Sequence, residues 1–136
     1  MDKRRLLFLI GLILIAFWAG AQDRSAADCI MKVQSRWGAP CDRCEAYTPD
    51  LKRDYSGTFQ VELKNSCGEV VEVKAAVQEK NGNWRIFPVK ALAAGQGMNA
   101  FACQGNGKYM YWARRANDTE LKLPTDQEIL TEYRGK

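Results

Sequence analysis

A chain of 136 residues with 20 Lys and Arg, 16 Asp and Glu and no His carries a formal net charge of +4. The missing His removes the commonest neutral-pH general base, the commonest metal ligand and every Ser-His or Cys-His dyad. The positive charges are scattered, with Lys52-Arg53 and Arg114-Arg115 as isolated pairs that read as solvated surface, so the clustered basic stripe of a nucleic-acid binder is missing.

Lys3, Arg4 and Arg5 precede an unbroken apolar run from Leu6 to Trp18, and Ala19-Gly20-Ala21 then supplies the small residues of a cleavage site. That order of parts predicts a signal peptide over 1–21, removed before Gln22. A membrane span needs roughly 20 apolar residues, and this run is shorter, so contact with a membrane is expected only through an uncleaved leader. Asp28 before Cys29 excludes a lipoprotein site. Cleavage leaves 115 residues of net charge +2, enough for one domain with a modest core. The expected location is secreted or periplasmic.

All five cysteines, Cys29, Cys41, Cys44, Cys67 and Cys103, follow the leader. In a small exported chain they are expected to form disulfides that supplement the core. An odd count allows two internal bridges and one spare thiol, and spacing alone does not choose the pairing. Cys41-Asp42-Arg43-Cys44 has the spacing of a redox or zinc motif. Redox use requires a helix after the first cysteine, which Pro49 and the absence of an amphipathic pattern over Glu45–Tyr55 oppose. A zinc site requires Cys67 and Cys103 to join this pair. No cofactor is expected.

Residues 22–56 read as an irregular, Cys-containing arm with a short element near Ile30–Val33. From Gly57 the pattern has period two, the mark of half-buried strands. Thr58–Lys64 alternates around Phe59, Val61 and Leu63; Asn65–Gly68 reads as a turn. The next strand alternates around Val71, Val73, Ala75 and Val77. Asn81-Gly82-Asn83 signals a hairpin, followed by a strand over Trp84–Leu92. Met98–Gln104 and Lys108–Arg114 flank Gly105-Asn106-Gly107, read as a second hairpin turn. Thr125-Asp126-Gln127-Glu128 fits a capping box that opens a short helix through Tyr133. Asn117-Asp118-Thr119 fits a glycosylation acceptor, but reads more simply as a turn. The predicted fold is all-β: a small antiparallel sandwich or meander of five to six strands over 57–136, disulfide-braced, with a short C-terminal helix.

Two registers follow from keeping apolar residues on one face. Pairing Lys80 with Trp84 sets Val77 opposite Phe87, Ala75 opposite Val89 and Val73 opposite Ala91, whereas a one-residue slip would set Val73 opposite Lys90. Pro88 then implies an edge or a bulge. Pairing Gln104 with Lys108 sets Cys103 opposite Tyr109 and Phe101 opposite Tyr111, with both tyrosines on the core side. In a simple meander Cys67 and Cys103 lie at opposite ends, so their bridge would need bent sheets; otherwise each pins the arm.

The outer face then collects Ala76, Trp84, Ile86, Ala100, Ala102, Met110 and Trp112. So apolar a face is either covered by the arm or the C-terminal helix, or it is an interaction surface. Trp84, Ile86, Met110 and Trp112 are the candidate binding residues, with flat rings suited to a sugar or to a protein hot spot. No spacing singles out the facing carboxylates of a glycosidase. The expectation is a non-catalytic binding or structural module for a protein or glycan partner. The alternatives are a secreted thiol-disulfide oxidoreductase using Cys41/Cys44, or a secreted inhibitor or effector presenting Ala93–Gly97.

Overall fold

A computed structural model describes residues 25–41, 43–44 and 48–134. The expected leader lies outside these residues. A short helix α1 (Ala26–Cys29), capped by Ser25, leads into β1 (Ile30–Trp37). There follow β2 (Phe59–Asn65), β3 (Val71–Glu79), β4 (Trp84–Ile86), β5 (Lys90–Leu92), β6 (Gly97–Ala102), β7 (Gly105–Arg115) and helix α2 (Asp126–Glu132).

Two antiparallel sheets face each other. The first has the order β1-β2-β6; the second is built on β3, with β4 and β5 along one side and β7 along the other. Phe59, Val61 and Leu63 of β2, Met98, Ala100 and Ala102 of β6, and Val71, Val73, Ala75 and Val77 of β3 form the core between them. The period-two pattern therefore marks the right faces of β2 and β3. The fold is a small, disulfide-braced β-sandwich, with seven strands among the described residues where five to six were expected.

The additional strands have physical causes. β1 pairs with β2 from Ile30↔Asn65 to Trp37↔Phe59, with a bulge at Val33. It is an edge strand exposed on both sides after Ile30, so its sequence shows no alternation to detect. The predicted Trp84–Leu92 strand is split, because residues 87–89 around Pro88 leave the ladder. Glu79 N–H donates to Asn83 O at 2.7 Å, making Lys80-Asn81-Gly82 the hairpin loop, with Gly82 at φ 91° in its last position. The pairs are thus Val77↔Arg85 and Gln78↔Trp84, two residues from the expected register but on the same faces. Past Pro88 one extra residue enters, giving Val73↔Lys90 and Val71↔Leu92. The pairing excluded from sequence is the one that forms; Leu92 is buried, and Val89 and Ala91 are exposed.

The second predicted hairpin does not form. β6 pairs with β2, Phe101 lying opposite Gln60, and β7 pairs with β3, Tyr109 opposite Val77 and Tyr111 opposite Ala75. Cys103 and Gln104 carry the chain from one sheet to the other. Gly105 is needed for packing: a Cβ there would lie 2.7 Å from Phe59 Cβ. Both tyrosines nevertheless pack against the core, as expected.

The bridges are Cys29–Cys67 and Cys44–Cys103, leaving Cys41 as a half-buried free thiol. Two crossings from one sheet to the other, β2 to β3 and β6 to β7, are thus pinned to the N-terminal arm, and Cys67 does not meet Cys103. Two such bridges imply folding in an oxidising, extracellular-type environment. Among the described residues no helix is long and apolar enough to cross a membrane.

Asn65 joins β2, the following turn and β5 although its side chain is fully buried. Its amide donates to Glu69 O at 2.7 Å and Leu92 O at 2.9 Å, and its Oδ1 accepts from Cys67 N–H at 3.0 Å. In the arm, Asp54 accepts from Ser56 N–H at 2.9 Å. That bond holds its pKa below the ordinary carboxylate value.

Candidate functional site

The outer face of the β3 sheet is built from alternate residues of three strands. β3 presents Lys74, Ala76 and Gln78; opposite them lie Trp112 and Met110 on β7, and Ile86 and Trp84 on β4. The four candidate residues therefore share one face. Ala100 and Ala102, assigned to the same face from the second hairpin, do not: they sit on β6 in the other sheet and face the core.

α2 covers part of this face. Thr125 Oγ1 accepts from Glu128 N–H at 3.2 Å, as the capping box requires. At this end Lys74 Nζ reaches Asp126 at 2.5 Å and Pro124 O at 2.9 Å. At the other end Trp84 Nε1 donates to Tyr133 O at 2.9 Å. Ile129 is wholly buried between these anchors, and Ala76 beneath the layer is at 0 % exposure. Burial of the Ile129 side chain contributes about 1.5–3 kcal/mol to docking. Arg114 holds the chain leading to the helix, bonding Glu72 at 2.6 Å and Leu121 O at 3.1 Å. Arg115 pairs with Glu69. The Arg114-Arg115 pair is therefore structural rather than merely solvated.

This covering divides the four candidates. Trp84, at 9 % exposure, is occupied in holding the helix. Ile86, Met110 and Trp112 stay half-exposed. Trp112 lies 6.0 Å from the Tyr133 ring, at a tilt of 55°. Tyr133, which follows the helix, lines two shallow depressions on the remaining surface. One, of about 400 Å³, is lined by Tyr109, Met110, Tyr111, Trp112 and Tyr133. The other, of about 370 Å³, is lined by Trp84, Gly107, Lys108, Tyr109, Met110 and Tyr133.

Tyr133 and Lys108 were missing from the sequence-derived site. Tyr109 and Tyr111 border these depressions but pack against the core, as expected, and Tyr133 was seen only as a helix end. No local signal brings β7 and the C-terminus together.

Chemically, the surface offers the flat rings of Trp112 and Tyr133 and the Met110 thioether in open concavities, with Lys108 at hand for polar contacts. It can stack on the apolar face of a sugar ring or seat an aromatic or proline side chain. Among the described residues no group of three or more His, Cys, Asp or Glu side chains comes together in a way that could hold a metal ion. No protein-family model matches this chain, and no curated protein or solved structure is matched by it.

Proposed function

We propose that this chain is an exported, non-catalytic binding module that engages a glycan or protein partner through the aromatic surface around Tyr133. The observation that carries this reading is the half-exposed ring pair Trp112–Tyr133, with Met110 beside it, left open by a helix that covers the rest of the face. Uncovered aromatic clusters of this kind supply binding energy at little entropic cost. The export half of the proposal rests on the Lys3–Ala21 leader pattern together with the two disulfides. It places cleavage before Gln22 and the folded domain outside the reducing cytoplasm.

The test is direct binding of the purified domain to panels of oligosaccharides and of proline- and aromatic-containing peptides, measured by calorimetry. Trp112→Ala and Met110→Ala are expected to abolish binding of whichever class registers, with the fold intact by circular dichroism. Binding that survives both substitutions would move the site elsewhere. N-terminal sequencing of the mature protein tests the leader, with Gln22 expected first.

A further inference from the structure

We propose that the free edge of β1 accepts one more antiparallel strand, supplied by a partner segment that is extended and alternates acidic with apolar residues. This goes beyond the aromatic surface and does not depend on it.

The backbone directions follow from two hydrogen bonds. Gly38 N–H donates to Thr58 O at 2.9 Å beyond one end of the β1–β2 ladder, and Ser66 N–H donates to Cys29 O at 2.8 Å beyond the other. Bonded and non-bonded pairs alternate along an antiparallel ladder. Counting inward through the register, Arg36, Gln34 and Met31 are bonded to β2, while Trp37, Ser35, Lys32 and Ile30 point their N–H and C=O groups away from it. Ile30 bears this out, since its carbonyl accepts from the Tyr111 hydroxyl at 3.4 Å. Lys32, Ser35 and Trp37 present the remaining outward groups.

The other borders of the sandwich are obstructed. The β4–β5 border is broken around Pro88. β6 runs into the Cys44–Cys103 bridge, with the Arg85 guanidinium 4.4 Å from the Phe101 ring centroid. α1 lies against β7. β1 instead leaves Met31, Val33 and Trp37 exposed at 49 %, 46 % and 53 %.

Charge selects the occupant. β1 carries Lys32 and Arg36 and no carboxylate, Lys64 lies opposite Met31, and the nearby Glu62 is bonded to Gln34 at 2.8 Å. A second copy of β1 would add only cations to this ribbon. Edge lysines and bulges discourage like strands from pairing, and Lys32 and the Val33 bulge do so here against self-association. Laid with its carboxylates on the row of Arg36, Met31 and Lys64, such a strand finds complementary charge there, and its alternate apolar side chains fall on the opposite row, beside Trp37.

The experiment is amide hydrogen exchange, read by NMR on the folded domain, with an octapeptide alternating Glu and Val and a control carrying Lys for Glu. Saturating acidic peptide is expected to slow exchange at Lys32, Ser35 and Trp37 on the order of tenfold, leave Gln34 and Arg36 unchanged, and lose effect at high salt. Ser35→Pro removes an outward N–H, a substitution that edge strands tolerate, and is expected to abolish the slowing. Lys32→Glu with Arg36→Glu keeps the backbone and is expected to transfer preference to the Lys peptide, so it carries the test should the proline variant misfold. Trp112→Ala is expected to bind the acidic peptide normally, which separates this edge from the aromatic surface. No slowing with the acidic peptide, or equal slowing with both peptides, overturns the proposal. So does protection that rises with protein concentration in the absence of peptide, because a second copy is then the occupant.

Discussion

Replacing Asn65 with Ala tests whether the sandwich depends on one buried amide. The side chain satisfies three backbone groups: Glu69 O, Leu92 O and Cys67 N–H. The Leu92 carbonyl lies in buried surroundings and loses its partner without regaining water, at about 1–3 kcal/mol. The other two are partly buried and can be rehydrated, so each costs about 0.5–1 kcal/mol. The total is about 2–5 kcal/mol, against a stability of about 5–15 kcal/mol for a domain of this kind. At roughly 4 °C per kcal/mol, the melting temperature falls by roughly 8–20 °C. Urea denaturation followed by tryptophan fluorescence measures the loss directly.

Asn65→Asp sharpens the test. It keeps the acceptor for Cys67 but turns a carboxylate onto two carbonyl oxygens. Burial and those carbonyls raise its folded-state pKa above the unfolded value of about 3.9. The penalty is therefore present at neutral pH and is lost as pH falls through the raised value. Measured against wild type at each pH, this variant is worse than Ala at pH 7 and recovers on acidification. A loss below about 1 kcal/mol for Ala, or an Asp variant as stable as wild type at pH 7, would refute the reasoning.

Removing either bridge by paired Cys→Ser substitution, Cys29 with Cys67 or Cys44 with Cys103, is expected to cost about 4 kcal/mol by loop-closure entropy, given separations of 38 and 59 residues; chemical denaturation under non-reducing conditions measures it. Trp84→Ala is expected to lose about 3–5 kcal/mol and undock α2, because the indole holds Tyr133 O. Trp112→Ala costs about 1–2 kcal/mol and keeps the fold; a thermal scan of the two variants separates the anchor from the binding surface. Leu51, exposed and at φ 63°, is strained, so Leu51→Gly is expected to gain about 0.5–1 kcal/mol in the same assay.

The sequence disclosed what is local. The alternation of Phe59, Val61 and Leu63 and of Val71, Val73, Ala75 and Val77 named the core faces, and Thr125 named the start of the helix. The apolar outer face of β3 announced either a covering layer or an interaction surface, and α2 covers part of it while Ile86, Met110 and Trp112 stay half-exposed. What stayed hidden depends on which sheet a strand joins. Gly105-Asn106-Gly107 has the composition of a hairpin turn. Yet Gly105 is present because Phe59 approaches its Cα, and Gly107 because its φ of 89° and the nearby Trp37 ring leave no room for a side chain. Close packing and turn formation demand the same residue, so the letters do not separate them. β1 is exposed on both faces and shows no period, and the extra residue near Pro88 exchanges Ala91 for Leu92 without altering composition. The binding surface was half legible for the same reason: Met110 and Trp112 stand out as apolar residues at outward positions, whereas Tyr133 joins them only through the path of the C-terminal chain.

The two specific bridges of the fold and the proposed export share one requirement, an oxidising environment. Peptide mapping of the native protein by mass spectrometry, after alkylation without reduction, tests this most directly. The expected result is Cys29 linked to Cys67, Cys44 linked to Cys103, and alkylation confined to Cys41. A Cys41–Cys44 linkage, or five alkylated cysteines in protein taken from its native compartment, would contradict it.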